Sequence, residues 1–350
     1  MKNDRVVYFD YLRLFAALFV ILLHVSSAKF NSSFETNRSA WLAMNFFDAI
    51  SRWCVPIFVM ISGTLFLGRE LSIKQLYRKY ILRIAFSCCV WSSFYAVVEF
   101  LKNRSIKTLV AAFFNGKYHL WFLPMIIGLY MCIPFFKKIV QSRKLMWYYL
   151  ILSFLFAFLF PTVKKAFNLA FEGSIISSGI DVVYKPISDM HMDVVLGYGA
   201  YFVLGFACAN HDFSPKQRKW IYELGILGFV FTVLITWFFS SIAERPISDF
   251  YGNFQVFVLF EALSVFVWGK YHFGLCSEKW NGFAKTLSKY SFGVYLVHPF
   301  MLGCCDALGI HSEMMNSWLA IPIVAILVAV LSFFASFVLN KIPFLNKWIV

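Results

Sequence analysis

Ten predominantly apolar runs, each long enough or nearly long enough to cross a bilayer, divide this chain: 8–27, 44–67, 81–101, 120–136, 146–162, 194–210, 219–240, 253–269, 288–308 and 317–340. A hydrocarbon core about 30 Å thick is crossed by roughly 20 helical residues, and it offers no water to unpaired backbone groups. Such runs are therefore confined to helices. The expected fold is an all-α integral membrane protein with about ten transmembrane helices. Charged residues make up 14% of the chain, against about 25% in a soluble domain. No stretch between the runs is long enough for a soluble unit, so residues 1–350 read as a single transmembrane domain without internal repeats.

The net charge of +14 would suggest a nucleic-acid partner in a soluble protein. Here the basic residues lie mostly in short connections between apolar runs, so they report topology and no nucleic acid is expected. They gather on one side: Lys2 and Arg5, then the segments 69–83, 137–144 and 216–219, then Lys270, Lys279, Lys285, Lys289, Lys341 and Lys347. Both termini are accordingly expected in the cytoplasm. The connection 102–118 carries four basic residues on the other side, and its run SIKTLVAAFF suits an interfacial helix. Ser26-Ser27-Ala28 loosely matches a signal-peptide cleavage site, but Asp10 and Arg13 sit awkwardly at the start of such a segment. The eight cysteines form no C-x-x-C and no His spacing resembles a metal site, so they read as small apolar filler and no metal is expected.

Ionisable residues at lipid depth mark functional sites by default. In FDYLRLFAALFVILLHVSS, Arg13 and His24 are eleven residues apart, about three turns plus 20°, so both leave the same helix face about 16 Å apart along the axis. Asp10, three residues before Arg13, is within ion-pair reach. Arg52, placed in the second helix, lies at about the same depth as His24, roughly 24 Å from the cytoplasmic end, with Asp48 one turn away. Lys79 and Arg83 share a face at the start of the third helix, where they serve either as topological anchors or as a clamp for an anionic cytosolic molecule. His119 and Trp121 stand at the outer interface. His298 is buried about 15 Å deep, with Pro299 expected to kink the helix after it. Glu99 and Glu261 are further intramembrane acids.

Several segments together resemble the acyltransferase-3 family of bacterial integral membrane acyltransferases. They are D-x-x-R with R-x10-H (Asp10, Arg13, His24), SRWCVPIFVMISGTLFL, HLWFLP and SFGVYLVHP, in the family's order and spanning about 8 to 340. SR-x-x-VP-x-F-x-MISG and HLWF point toward the branch that includes the O-acetyltransferase of enterobacterial common antigen. The resemblance implies ten helices around a buried site in the bacterial cytoplasmic membrane. It also implies transfer of an acyl group, most often acetyl from acetyl-CoA, to a hydroxyl of a surface or lipid-linked glycan. His24 would be the catalytic histidine and Arg13 would lie in or near the acyl-CoA tunnel. Many members carry an R-x-x-R pair for CoA at the start of the third helix; here Tyr80 stands three before Arg83, so Arg78 and Lys79 would substitute.

On this reading the CoA head binds near Arg78, Lys79 and Arg83 with Arg13 deeper. His24 acts as general base or carries a transient acyl group, and Arg52, Tyr295 or His119 stabilises the oxyanion. Trp121 and His298 complete the candidates for substrate contact. The connection 163–193, with Asp181, Asp189 and Asp193, is expected to shape acceptor choice. Composition and spacing alone leave an exporter of a glycan or acylated precursor nearly level with an enzyme, and leave room for a non-catalytic scaffold; the resemblance tips the balance to the enzyme.

Overall fold

A computed structural model describes residues 6–172, 174–190 and 192–350, the side chains of 175 and 193–195 excepted. Lys2, Arg5 and the side chain of Asp193 thus lie outside the described residues. The main helices are α1 (Val7–Ser27), α2 (Arg38–Ala49), α3 (Cys54–Leu67), α4 (Leu82–Asn103), α5 (Phe122–Met131), α6 (Arg143–Ser153), α7 (Met192–Asn210), α8 (Pro215–Ala243), α9 (Val256–His272), α10 (Glu278–Ser288), α11 (Ser291–Ala307) and α12 (Ser317–Lys341). No strand occurs among the described residues.

Each of the ten apolar runs falls mostly in helix, but among the described residues seven helical stretches are long and apolar enough to cross a membrane: α1, Arg38–Leu67, Ile73–Asn103, Arg143–Ala170, α8, Asp249–Leu275 and α12. The remainder are shortened by identifiable residues. Pro134 opens the helix Ile133–Gln141, bent 57° from α5; together they make an eighth span if they act as one. Proline lacks the N–H that would continue the ladder. In α7, Gly197 takes a non-helical conformation (φ −36°, ψ −119°) and leaves Leu196–Asn210 as a short apolar helix. α11 has 17 residues. The chain is a multi-pass helical membrane protein; among the described residues seven or eight spans are full-length by this measure, and the other apolar runs form shorter helices.

A second proline shapes the centre. Pro56 cannot donate to the carbonyl of Arg52 and its ring would crowd it. The chain between α2 and α3 therefore turns through tighter i→i−3 bonds, Ser51 to Asp48, Arg52 to Ala49 and Cys54 to Ser51. Arg52, expected within a continuous helix, stands on this break.

α1 runs through the middle of the bundle, touching α2, α3, α9, α10, α11 and α12. Leu12, Ala16, Ala17 and Ile21 are buried along it, so it is a core element. The eight cysteines form no disulfide. Glu99 accepts a hydrogen bond from Asn103 (2.7 Å), and buried Glu261 accepts one from Thr232 (3.4 Å) across the α8–α9 contact. The run 106–115 forms the short helix Ile106–Asn115, capped by Ser105, with Ile106, Val110 and Phe114 exposed along one stripe. That pattern suits a helix lying in the interface.

Helices α3 and α7 meet backbone to backbone. A Cβ on Gly63 would lie 1.8 Å from the Phe202 carbonyl oxygen, and one on Gly205 would lie 2.1 Å from that of Met60. Close approach through small residues is how helices associate in lipid, where no hydrophobic driving force separates them from their solvent. Gly63→Val or Gly205→Val is expected to destabilise by more than about 3 kcal/mol and to remove the folded peak in detergent size-exclusion chromatography. Gly128→Ala, whose Cβ would meet nothing within 4 Å, is expected to leave the profile unchanged.

Candidate active site

A cavity of about 700 Å³ runs beside α1. One end is lined by cations from separate elements: Arg13 of α1, Arg69 just after α3, Lys79 and Arg83 around the start of α4, and Lys289 between α10 and α11. The other end is lined by His24, Arg52, His119, Trp121 and Asn253. Between them the wall is apolar, including Val20, Leu23, Phe58, Leu65 and Phe122. Arg13 and His24 do share one helix face, and that face is a wall of this cavity.

At the cationic end Arg13 pairs with Asp10 at 3.6 Å. Asp10 is fully buried and accepts a hydrogen bond from Ser288 at 2.7 Å. The pair is thus anchored inside the protein. Lys79 lies in a π-helical turn, Leu76–Ile81, that leads into α4. The wider turn rotates the residues after it relative to a regular helix. Lys79, Tyr80 and Arg83 line the cavity while Arg78 is exposed to the outside and does not. Arg83 also donates to the backbone oxygens of Asn346 (3.3 Å) and Val350 (2.8 Å), which fixes its position. Arg78 is therefore the one expected donor-binding residue that the fold does not bring to this wall. Arg69 and Lys289 take part instead; in the sequence each reads only as a topological charge.

At the other end three histidines gather. The His24 ring stacks on His298 with centroids 5.1 Å apart and 20° between planes, and Tyr118 lies on it at 4.8 Å. His119 meets His298 at 5.4 Å and Tyr295 at 5.3 Å. Pro299 explains the state of His298. It withdraws the N–H that would have satisfied the Tyr295 carbonyl, and His298 Nδ1 takes that carbonyl at 2.7 Å. A carbonyl can only accept, so Nδ1 carries the proton and Nε2 of the neutral ring keeps its lone pair. α11 continues through Pro299, because the side chain replaces the missing bond. Nε2 of His298 and both ring nitrogens of His119 are buried without a protein partner. Such atoms carry a desolvation penalty unless something else meets them. Tyr295 donates its hydroxyl to the His119 carbonyl at 2.5 Å, which ties α11 to the turn before α5. Among the described residues no group of three His, Cys, Asp or Glu side chains is arranged to hold a metal ion.

Arg52 pairs with Asp48, donates to the Tyr251 carbonyl at 3.3 Å and lies over the Tyr251 ring at 4.3 Å. Tyr251 in turn is held by Asn45. Trp121 packs against Tyr198 (5.7 Å), which accepts a hydrogen bond from Asn253 at 2.8 Å. Asn253 carries no signal in the sequence: it lies in a connection whose role is set only by the helices on either side.

The architecture defines a helical multi-pass membrane protein with a polar-ended internal cavity. Residues 6–340 match the acyltransferase-3 family, described as an acyltransferase domain. The chain belongs to that family, and is a membrane acyltransferase. No curated protein and no solved structure gives a match.

Proposed function

We propose that this chain is a single-domain O-acyltransferase of the bacterial cytoplasmic membrane, with both termini in the cytosol and close to the branch acting on enterobacterial common antigen. It moves an acyl group, acetyl as the leading case, from cytosolic acyl-CoA to a hydroxyl of a surface or lipid-linked glycan. The observation that supports this reading is the single cavity joining five cationic side chains to the His24 cluster. A CoA head carries several phosphate charges, and Arg13, Arg69, Lys79, Arg83 and Lys289 supply the complementary charge. The apolar middle suits a thin, mostly uncharged arm. The unpartnered histidine nitrogens at the far end suit a reacting carbonyl and hydroxyl.

His24 takes the proton of the acceptor hydroxyl as that oxygen forms the new ester bond to the acyl carbon. The carbon–sulfur bond breaks and the proton leaves on the thiol of CoA. Arg52 or His119 faces the oxygen on which negative charge develops. His298, locked in one tautomer, packs against the His24 ring and fixes its plane. Arg13, through Asp10 and Ser288, holds its charge at a set height between the mouth and the histidines.

Lys79→Ala combined with Arg83→Ala is expected to weaken CoA binding about ten- to hundredfold, as loss of two charge-assisted contacts implies, and to flatten its salt dependence. Arg78→Ala, off the cavity, is expected to have a much smaller effect. Calorimetric titration of CoA into the purified protein at two salt concentrations checks both. Equal effects of the two changes would remove the mouth assignment.

A further inference from the structure

We infer that a second cavity, at the His24 end of the bundle, is the docking site for an uncharged, hydroxyl-rich ring: the pyranose of the acceptor. This rests on the acyltransferase reading and adds to it where the acceptor is held. The cavity measures about 470 Å³ and lies between the end of the Arg143–Ala170 stretch, the helix Ile175–Asp189 and the segment before α9. Phe156 and Tyr184 give it aromatic surface, and Lys164, Lys165, Asn168 and Asp249 give it polar surface.

Three observations argue for the ligand class. First, both lining lysines are paired with carboxylates: Lys164 with Asp181 at 3.0 Å and Lys165 with Asp249 at 3.1 Å. Hydrogen bonds from Lys164 and Asn168 also hold the Asp181 carboxyl below its ordinary range, keeping that pair ionised. Two cations and two carboxylates leave no net charge to attract a phosphate or an acid. Second, the Tyr184 hydroxyl and the Asn168 side-chain oxygen are both shielded from solvent and without a protein partner. Buried polar atoms want a hydrogen-bonding group, and a sugar hydroxyl both donates and accepts. Third, aromatic surface beside such polar atoms matches a ring that has an apolar C–H face and a polar edge.

The same short segment ties this cavity to the reaction. Asp249 lines the outer cavity, Tyr251 holds Arg52 by its carbonyl and its ring, and Asn253 lines the central cavity. Residues 249–253 are thus a shared partition between the two cavities. A ring held in the outer one lies across this segment from Arg52, which lines the central cavity.

The test uses the full chain in lipid nanodiscs and saturation-transfer NMR, which reads weak ligands. The probes are methyl β-D-glucopyranoside, methyl 2-acetamido-2-deoxy-β-D-glucopyranoside and methyl α-L-rhamnopyranoside, with cyclohexylmethanol as an apolar control. At least one pyranoside is expected to show transfer. That signal should fall at least about fivefold in Tyr184→Phe and in Asn168→Ala, the loss of one hydrogen bond each. It should persist in His24→Ala, and all variants should bind acetyl-CoA as the wild type does. No transfer to any pyranoside, equal transfer to cyclohexylmethanol, or undiminished transfer in both cavity variants would overturn the inference. Acetyl-CoA cleavage on the same preparation separates the two claims. Sugar binding without cleavage keeps the docking site and removes the reaction; cleavage without sugar binding does the reverse.

Discussion

Replacing His24 with alanine is expected to lower acyl transfer by about 10²- to 10⁴-fold, the range a positioned general base contributes, and to leave acyl-CoA binding intact. The two effects separate because the cationic mouth lies about 16 Å along α1 from the imidazole. Neither neighbouring histidine is placed to take over the role. His298 does not line the cavity, and His119, which does, is the oxyanion candidate. The measurement is incorporation of label from acetyl-CoA into membrane glycan, with CoA binding measured in parallel. Near-wild-type incorporation in His24→Ala would end the proposed chemistry, whether transfer is direct or passes through an acylated histidine.

The second large effect concerns Arg52. Asp48 is buried beside it, so Arg52→Met strands a carboxylate in the interior. Breaking a buried pair in this way destabilises by about 3–5 kcal/mol, which takes a large part of the stability of most proteins. The single variant is expected to be poorly folded and inactive for that reason alone. Asp48→Asn combined with Arg52→Met removes both charges, and replacing a buried pair by uncharged groups is often neutral. The double variant should therefore recover a near-wild-type melting temperature. It should remain inactive, because Arg52 lines the cavity beside His24 and supplies charge to the oxyanion. Recovery of activity along with stability would assign the pair a purely structural role.

How much of the site is legible in the chain depends on how local each feature is. The Arg13–His24 face, the Asp10–Arg13 pair and the Asp48–Arg52 pair all follow from short-range spacing in the sequence, and each is formed. Arg78 stands off the expected wall while its neighbour Lys79 lines it, and no composition rule announces the π turn, Leu76–Ile81, in which both lie. The shortening of some of the expected spans has a similar cause. Pro134 and Gly197 interrupt apolar runs that hydropathy alone reads as whole. Arg69, Lys289 and Asn253 come from elements far apart in sequence, so only the packing shows that they share one cavity. The His-Pro pair in α11 is an intermediate case. Its residues stand out in the sequence, but the exchange of a backbone donor for a ring N–H at Tyr295 emerges only in three dimensions.

The central claim is that an acyl group carried on CoA reaches His24 through the cavity from the cationic mouth. Bromoacetyl-CoA places an electrophilic carbon at the acyl position and tests this directly. After incubation with the purified protein and digestion, mass spectrometry locates the alkylated residue. The account predicts an adduct at the deep end, on the peptide carrying His24 or on that carrying the lining residue Cys54, suppressed by excess CoA and much reduced in Lys79→Ala with Arg83→Ala. Adducts confined to Lys79 and Lys289 at the mouth, with the deep end unmodified, would contradict it.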